Sequence, residues 1–490
     1  MTEVKLTRIL ILLLTLIMLG GCSGNGSDNP NSTPTNLEPN PTPTPTPVPS
    51  LSQCPDPGPD PDATPQPSSG PTYYFADCQS GASAGCVAGN NANAGTAPTA
   101  PKRNLSGFDV NALPAGTQLL FARGGAWSAF HYLLNNRNTT PSQPLVFDSY
   151  RAAWGSEEPP LIKTKSDDDE EDDEAIAFLV GYYQATEAIG GYTLRNLTLD
   201  GGGTGTTGIV VFGGTRNTTI ENLEITGFHI AIQTQQTYQA GAGVTGPIDA
   251  LVIRNCHIHH NPGMGILGDG TNMLIECNTF AYNNFSGSGF NHGIYLGGHG
   301  TDGIVRANTF FHNSVPTGGT ACTGGNLTVH GQWDGLLIEN NLLTQNASVG
   351  SCYGISITPG YDETQPPEFF RNFIVRGNTV INLGGCAICV GAAVEPIIEE
   401  NLLINENDAW MSGVVLMANV DQPGIGGDDV DYGAIVRDNT MCFAYPRPEN
   451  QALVTQWPGN PPRDSQYNSD ASVNNVLRTG GDAFTGPCVP

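Results

Sequence analysis

A short run of alternating apolar and polar residues recurs along residues 192–441. Alternation with a period of two predicts short strands that bury one side. Most copies are followed by a second short strand with a glycine, as in MGILGDG (264–270) and HGIYLGG (292–298). Repetition of this kind predicts a solenoid, in which each turn covers the apolar side of the next. The nine copies lie 22 to 38 residues apart and read YTLRNLTL, TTIENLEI, LVIRNCHI, MLIECNTF, GIVRANTF, LLIENNLL, FIVRGNTV, PIIEENLL and AIVRDNTM.

One position in these copies alternates in charge without a break. Neighbouring turns of a parallel solenoid lie ~4.8 Å apart, so this column predicts a ladder of opposite charges. Like charges in the column would repel each other, and the alternation therefore specifies the stacking order. The column contains Arg195, Glu221, Arg254, Glu276, Arg306, Glu339, Arg376, Glu399 and Arg437.

Two further columns are rich in asparagine. Stacked asparagine side chains hydrogen-bond to the turn backbone and to each other, so we interpret both columns as structural ladders. The first contains Cys256, Asn278, Asn308, Asn341, Asn378, Asn401 and Asn439, and the second contains Asn261, Asn283, Asn313 and Asn346.

The repeats over about residues 190–445 resemble the right-handed parallel β-helix of the pectate-lyase-like superfamily. This resemblance implies an all-β fold with an N-terminal capping segment. Residues 88–162 resemble the opening of secreted β-helix proteins that act on polysaccharides, although Gly116-Thr117 replaces the usual Gly-Asp and Arg151 replaces the usual glycine after the tyrosine. We expect this segment to cap the first turn and to cover a sheet edge.

The N-terminus has the pattern of a secretory signal: Lys5 and Arg8 precede an apolar run at 9–19. The following LGGC (19–22) resembles the bacterial lipobox, which implies lipidation of Cys22, and Ser23 favours sorting to the outer membrane. The alternative is an uncleaved membrane anchor, but the run is too short to span a bilayer comfortably. We therefore expect a lipoprotein of the cell envelope, facing the periplasm or the cell surface.

The segment after the signal is rich in proline and threonine and almost free of apolar residues, which predicts an extended, disordered tether. Composition and repeats together predict five divisions of the chain. They are the signal peptide (1–22), the tether (23–70), the N-terminal cap with the first turns (71–190), the repeats (191–445) and a C-terminal capping segment (446–490).

The strongly negative net charge of the chain limits the classes of molecule that it is expected to bind. The net charge is −27, and no lysine follows position 165, so nucleic acid is not an expected partner. The acidic run at 167–174 has two interpretations, a solvated loop or a segment that attracts calcium. The sequence assigns no metal ligands, and calcium is the one ion it suggests. We expect a monomer.

The chain has 12 cysteines, of which Cys22 belongs to the lipobox. The other 11 are expected to form disulfides in an oxidising compartment, with at least one unpaired. Cys78 with Cys86 and Cys442 with Cys488 are plausible local pairs. The CAIC stretch (386–389) lies in a strand-like segment rather than at a helix start, which disfavours a redox role.

Three histidines lie close together in CHIHHN (256–261), which raises the question of a metal site. The repeat register stacks His257 on Thr279 and His259 on Ala281. We expect the three imidazoles to point to different sides of one turn, so that a single ion does not collect them. The alternative pairing of His260 with His312 has Tyr282 between the two rings.

On the outer side of the second strands, one predicted column contains Leu267, Tyr295, Thr328 and Ser356, and the next contains Gln233, Asp269, Gly297, His330 and Thr358. Loops beside these columns are expected to hold His299, Asp302, Trp333 and Asp334. This face carries hydroxyl, amide, carboxylate, imidazole and aromatic groups, a mixture that suits sugar binding. Its other interpretation is an ordinary polar surface. The expected catalytic residues are His330, Tyr295, Asp269, His299 and Asp302, and the expected substrate-binding residues are Gln233, Trp333, Asp334 and Thr358.

These groups favour an enzyme that degrades or modifies polysaccharide. The repeats contain no lysine, and the ladder engages most of their arginines, so a uronate lyase would use His330 and Tyr295. A hydrolase would pair Asp269 with Asp302 or Asp334. The alternative is a non-catalytic glycan-binding or structural surface protein. The repeats also resemble those of periplasmic β-helix proteins that assist metal-cofactor assembly, but this chain lacks the Met- or Cys-rich segments that would bind the metal.

Overall fold

The computed structural model shows a parallel solenoid whose turns each contribute strands to three faces. The part of the chain that the structure describes comprises residues 54, 69–164, 175–181, 189–235, 246–350, 352–359, 368–383, 385–406, 412–416, 418–419, 429–430, 433–445, 454–456, 468–480 and 488. The predicted signal peptide, Cys22 and the acidic run at 167–174 lie outside these residues.

Face 1 is a 13-stranded sheet of parallel strands. Its strands hold the apolar triplets and the charge column, and successive strands pair in register from turn to turn. The strands are Thr72–Phe75, Gln118–Ala122, Leu145–Tyr150, Ile189–Arg195, Thr215–Glu221, Val252–Arg254, Leu274–Glu276, His299–Arg306, Gln332–Glu339, Phe369–Arg376, Ala393–Val394, Ile397–Glu399 and Ile435–Arg437.

Face 2 follows face 1 in each turn and is made of very short strands. Two longer strands, Thr198–Phe212 and Glu224–Gln235, run over both face 2 and face 3. The other strands of face 2 are Ala126–Trp127, Leu161–Lys163, His257–His259, Thr279–Ala281, Thr309–Phe311, Leu342–Thr344, Thr379–Ile381, Leu402–Asn405, Thr440–Phe443 and Val476–Thr479.

Face 3 contains the glycine-bearing second strands. Outside the three faces, the described residues include one antiparallel pair, Ala418–Asn419 with Asp429–Val430, and one 3-10 helix, Val110–Ala112. The remaining strands of face 3 are Tyr132–Leu134, Ile176–Val180, Met264–Gly268, Ile294–Leu296, Gly325–Val329, Tyr353–Ile357, Cys386–Val390, Ser412–Leu416 and Val454–Gln456.

The corner between face 1 and face 2 is turned by a single residue in the left-handed region. Asn255 (φ 53°) and Asn340 (φ 55°) are examples, and asparagine tolerates this conformation better than most residues. Because one residue makes the corner, the Arg/Glu column and the asparagine column keep a fixed offset in every turn. The other corner residues are Asn196, Asn222, Cys277, Ala307, Gly377, Glu400, Asp438 and Asn474.

The first asparagine column forms the predicted ladder inside this corner. The side-chain oxygen of Asn308 accepts hydrogen bonds from the backbone N–H (2.9 Å) and the side-chain amide (3.0 Å) of Asn278. The amide of Asn308 in turn donates to the carbonyl of Ile275 and to Asn341. These amides are buried, and the pattern continues to Asn475 beyond the predicted column.

The second asparagine column is correct in part. Asn261 donates to Asn283 (2.9 Å) and Asn283 donates to Asn313 (3.0 Å). Asn313 then donates to Asn326 (3.1 Å) instead of Asn346. Placing Asn346 in this ladder was wrong, because its side chain is exposed and bonds to His312 outside the core.

The charge column forms on face 1 as predicted, and each arginine reaches the acid one turn before it. Arg306 contacts Glu276 at 2.7 Å and Arg376 contacts Glu339 at 2.8 Å. The carboxylate side chains are largely buried, whereas the arginines are partly exposed. The column also begins one turn earlier than expected, because Arg195 contacts Asp148 at 2.7 Å.

One core runs through the solenoid between the three faces. It contains like-on-like stacks from consecutive turns, such as Phe280 on Phe310 with ring centroids 5.0 Å apart. At the N-terminal end, Thr72–Phe75 is the edge strand of face 1, and its free side bonds to the loop at Gly95 and Lys102. The expected cap over the sheet edge is therefore confirmed.

The other end differs from the expectation. The predicted boundary at 445 is too early, because Val454–Gln456 extends face 3 and Val476–Thr479 extends face 2. The segment before Val476–Thr479 lacks the apolar triplet that precedes the earlier face-2 strands, which is why the periodicity did not mark this turn.

Five disulfides join described residues, including the two expected pairs, Cys78–Cys86 and Cys442–Cys488. Cys54–Cys277 ties residue 54 of the predicted tether to the solenoid, so a tether free as far as residue 70 was wrong. Among the described cysteines, Cys256 is unpaired and buried. Cys322–Cys352 and Cys386–Cys389 complete the set.

Within the described residues, no helix is long and apolar enough to cross a membrane.

The charge column gives a test of the stacking. Arg306→Glu removes the contact to Glu276 and places a third carboxylate between Glu276 and Glu339. We expect the free energy of unfolding to fall by about 1–3 kcal/mol, because Glu276 is left buried without a partner. Thermal melting checks this, with Arg216→Glu as the control, since Arg216 is exposed on face 1 outside the column. Equal melting temperatures for the two variants would contradict the role of the ladder.

Candidate functional site

The outward column of face 3 runs as predicted through Leu267, Tyr295, Thr328 and Ser356. Gln233 was placed one column too far along. It pairs with Leu267 and so belongs to the same column as Tyr295, because the pairing of the strand Glu224–Gln235 with the next turn shifts by one residue across the corner. The adjoining column holds Asp269, Gly297, His330 and Thr358, each one residue beyond the paired strands.

Tyr295 and His330 lie side by side on consecutive turns. Their ring centroids are 5.2 Å apart with the planes tilted by 40°. A side chain at Gly297 would collide with the Tyr295 ring, since a Cβ there would lie 2.5 Å from it. The glycine therefore lets the phenol lean along the face toward His330. Two hydroxyls, Ser356 and Thr358, lie 3.3 Å apart on the next turn.

Glu368 faces His330 from the start of the next face-1 strand. Its Oε2 is 3.6 Å from Nδ1 of His330, and both side chains are largely buried. This distance is too long for a hydrogen bond, and Nδ1 of His330 makes none within the described residues. The neighbouring negative charge favours the tautomer with the proton on Nδ1, which leaves a lone pair on Nε2.

His292 also lies beside Tyr295. The two rings are stacked, with centroids 5.4 Å apart. The backbone N–H of Gly325 donates to Nδ1 of His292 at 2.9 Å, so this nitrogen is an acceptor. Burial, followed by the charge of His330, lowers the pKa of His292 to about 3. His292 is therefore a neutral, fixed ring beside Tyr295.

Asp269 and His299 occupy the corner between face 3 and face 1. The backbone N–H of His299 donates to Oδ2 of Asp269 at 2.6 Å, and the carboxylate is buried. A Cβ at Gly298 would lie 2.2 Å from Oδ2, so the glycine backbone closes over this group. Burial lowers the pKa of His299, while a hydrogen bond with Gln332 opposes that shift.

The residues expected in loops beside this face are instead in face-1 strands. Trp333 is fully buried in the core, so its prediction as a surface platform for sugar was wrong. Its ring lies against Gly300 of the previous turn, which leaves room for it. Asp302 and Asp334 are exposed on face 1, and Asp334 accepts a hydrogen bond from Asn372 at 2.5 Å.

Comparison with known proteins supports the architecture. A family model described as a right handed beta helix region matches residues 185–365. A GH136 lacto-N-biosidase from Eubacterium ramulus has a similar structure, with a TM-score of 0.50 and 14% identity over 83% of this chain and 68% of that chain. The protein is a right-handed parallel β-helix. The fold that the repeats predicted is thus confirmed, with its handedness.

Other solved structures are more distant. The complex of XylC with xylose is 10% identical, with a TM-score of 0.48 over 84% of this chain and 86% of that chain. A rhamnogalacturonan lyase is 14% identical, with a TM-score of 0.42 over 83% and 87% of the two chains. No curated protein matches the sequence. At 14% identity, the likeness to the lacto-N-biosidase shows the β-helix fold alone.

Two residues that lie beside Tyr295 and His330, namely His292 and Glu368, were not predicted from the sequence. His292 precedes the strand Ile294–Leu296, so strand alternation does not fix which side it takes. Glu368 begins a turn after a long insertion, and only the stacking of the β-helix brings it to His330. The sequence signal for His292 was its position three residues before Tyr295, within NHGIYLGG.

The structure also corrects the interpretation of the histidine run, CHIHHN (256–261). His257 and His259 were expected on different sides of the turn. They are two residues apart in one strand and therefore share a side, with ring centroids 4.0 Å apart. The pairing of His260 with His312 does not form, because Tyr282 stacks on His260 and lies between the two.

The buried imidazole of His292 makes stability depend on pH. Its folded pKa of about 3 lies below the ordinary value, so the unfolded chain takes up the proton first as the pH falls. His292 therefore does not lower the free energy of unfolding above about pH 6.5. Below that pH, its protonation in the unfolded chain lowers the free energy of unfolding by up to ~1.4 kcal/mol per pH unit. We expect the melting temperature of His292→Gln to fall less than that of the unmodified protein between pH 7 and pH 5. A parallel decline of both would contradict this assignment.

Proposed function

We propose that this β-helix protein acts on polysaccharide by proton abstraction, with the reacting sugar bound over Tyr295 and His330. One observation carries the proposal: an imidazole, a phenol and a carboxylate from separate turns meet on the outer side of face 3. The structural relatives support only the fold, and the named residues carry the chemistry.

In this proposal His330 is the general base. The negative charge of Glu368 attracts a proton to Nδ1, and Nε2 removes the proton from C5 of a uronic acid unit. The C5–H electrons form the C4–C5 double bond as the C4–O4 bond breaks. Tyr295 gives its hydroxyl proton to the leaving oxygen, so the products are a new chain end and an unsaturated sugar.

The surrounding groups suit this reaction. The neutral ring of His292 fixes one side of Tyr295 without adding a competing charge. Arg371 lies over the ring of Phe369, 5.1 Å from its centroid, close in sequence to Glu368. This arginine pairs with Asp334 on face 1, so it has no assigned role in the reaction over face 3.

Hydrolysis is less well supported, because it needs two carboxyl groups on either side of the bond to be cleaved. Asp269 is buried under Gly298 and accepts the N–H of His299. Its suggested partners, Asp302 and Asp334, belong to face 1, where Asp334 is bonded to Asn372. Asp269 on one side and Asp302 and Asp334 on the other therefore do not face a common substrate position in this proposal.

The test is to incubate the purified protein with acidic and neutral polysaccharides, with and without calcium, and to measure reducing ends and the absorbance of unsaturated products. We expect unsaturated products, and we expect His330→Ala to lower the rate by about 10²–10⁴-fold without changing the melting temperature. His312→Ala is the matched control, since that histidine lies on face 2 away from the cluster.

Reducing ends without unsaturation would replace the lyase with a hydrolase. Binding of a glycan without cleavage, lost in His330→Ala, would favour the alternative of a glycan-binding surface protein. Glu368→Gln should lower the rate less than His330→Ala and shift the pH profile, because it alters the tautomer of His330 and leaves the base in place.

We also propose that the protein is an outer-membrane lipoprotein anchored through an acylated Cys22. The lipobox-like sequence LGGC (19–22) supports lipid anchoring, and the segment that follows it would hold the β-helix away from the bilayer.

Replacement of the lipid-bearing cysteine tests the anchor. We expect Cys22→Ser to prevent incorporation of a labelled fatty acid and to move the protein from the membrane fraction to the soluble fraction. Cys256→Ser serves as the control, because that thiol is buried in the solenoid. A membrane-bound, unlabelled Cys22→Ser variant would contradict lipid anchoring.

A further inference from the structure

The histidine run on face 2 lies beside a carboxylate from the preceding turn. Glu224 pairs directly with His257, and Thr226 pairs with His259, in the parallel register of these two strands. The side chains of His257 and His259 project from the same side of one short strand. Three side chains from two consecutive turns therefore converge on one outward spot, away from the Tyr295–His330 cluster on face 3.

The distances in this group match those within a coordination sphere. One ligand atom from each of Glu224, His257 and His259 lies within 4.8 Å of the others. Nε2 of His259 is 3.1 Å from Oε1 of Glu224. Two ligands that are each about 2.0–2.2 Å from a zinc ion are separated by a similar distance. Among the described residues, this is the one such group of three.

We propose that Glu224, His257 and His259 bind a single divalent transition-metal ion of the zinc class. Two imidazoles and one carboxylate are ligands that zinc accepts, whereas calcium takes six to eight oxygen ligands. Three protein ligands leave a fourth tetrahedral position for water. His257 is exposed at the surface, so the ion and this water would be accessible to solvent.

The groups behind the ligands hold them in place. The hydroxyl of Thr198, one turn earlier, donates to Oε2 of Glu224 at 3.1 Å and leaves Oε1 for the ion. Nδ1 of His259 lies 2.9 Å from Nδ1 of His260. A proton on Nδ1 of His259 is therefore donated to His260, and Nε2 of His259, which faces Glu224, keeps its lone pair for the ion. Such outer partners orient the ligands of metal sites and raise their affinity.

His260 is itself fixed by its neighbours. Its ring stacks on Tyr282 of the next turn, with centroids 4.9 Å apart and planes 23° apart. On that next turn, the residues paired with His257 and His259 are Thr279 and Ala281, whose side chains are small. The site is therefore bounded by an ordered imidazole on one side and by small residues on another.

The experiment is a calorimetric titration of the untagged, purified full-length protein with Zn²⁺ alone, in a buffer free of chelators and polysaccharide. We expect one ion per chain and a rise in melting temperature on binding, because the ion binds the folded state. His257→Gln and His259→Gln should each weaken binding at least 10-fold. His312→Gln is the matched control, as a histidine on the same face two turns further along, and should bind as the unmodified protein does.

Cobalt provides a second readout. Co²⁺ at this site should give visible absorption bands typical of four- or five-coordination, and Glu224→Gln should change them. The proposal is overturned if the folded protein binds no zinc, or if His257→Gln, with an unchanged melting temperature in the absence of metal, binds it equally well. His330→Ala should keep full zinc affinity, so failure of the metal site and failure of the proposed glycan chemistry are separate results.

Discussion

The structure depends on the fixed stacking of one turn on the next. Backbone pairing sets the spacing between turns, and the buried asparagine ladder sets how each turn is aligned on the next. Each asparagine side-chain oxygen accepts hydrogen bonds from the backbone N–H and the side-chain amide of the asparagine one turn earlier. A slip of one residue would bury charged groups and expose the core. The Arg/Glu column adds a second constraint at the surface, since each arginine contacts the acid of the preceding turn.

This stacking turns distance in sequence into proximity on the surface. Tyr295 and His330 are 35 positions apart, yet their rings are neighbours because both lie on successive turns of face 3. Glu224 and His257 are brought together on face 2 in the same way. Each turn contacts mainly its neighbours, so a change at one cluster is expected to leave the other intact. The two proposed sites can therefore differ in chemistry while sharing one scaffold.

Sequence reasoning succeeded where one periodic rule was enough. The charge column, the first asparagine ladder and the neighbourhood of Tyr295 and His330 all follow from register alone. It failed where a side chain lies at a corner or enters from an insertion. Trp333 looked like a loop residue, but the face-1 strand begins earlier in that turn and buries it. Glu368 follows an insertion whose length has no relation to the repeat.

The sequence by itself determined the β-helix, its stacking order and most of its outward columns, because period-two alternation and a repeated corner are local properties of the chain. Only the tertiary structure decided which polar groups meet. The approach of Glu368 to His330 and the burial of Asp269 beneath Gly298 depend on contacts between turns. Those contacts are set by three-dimensional packing at the corners, where residues leave the strand and its alternation no longer applies.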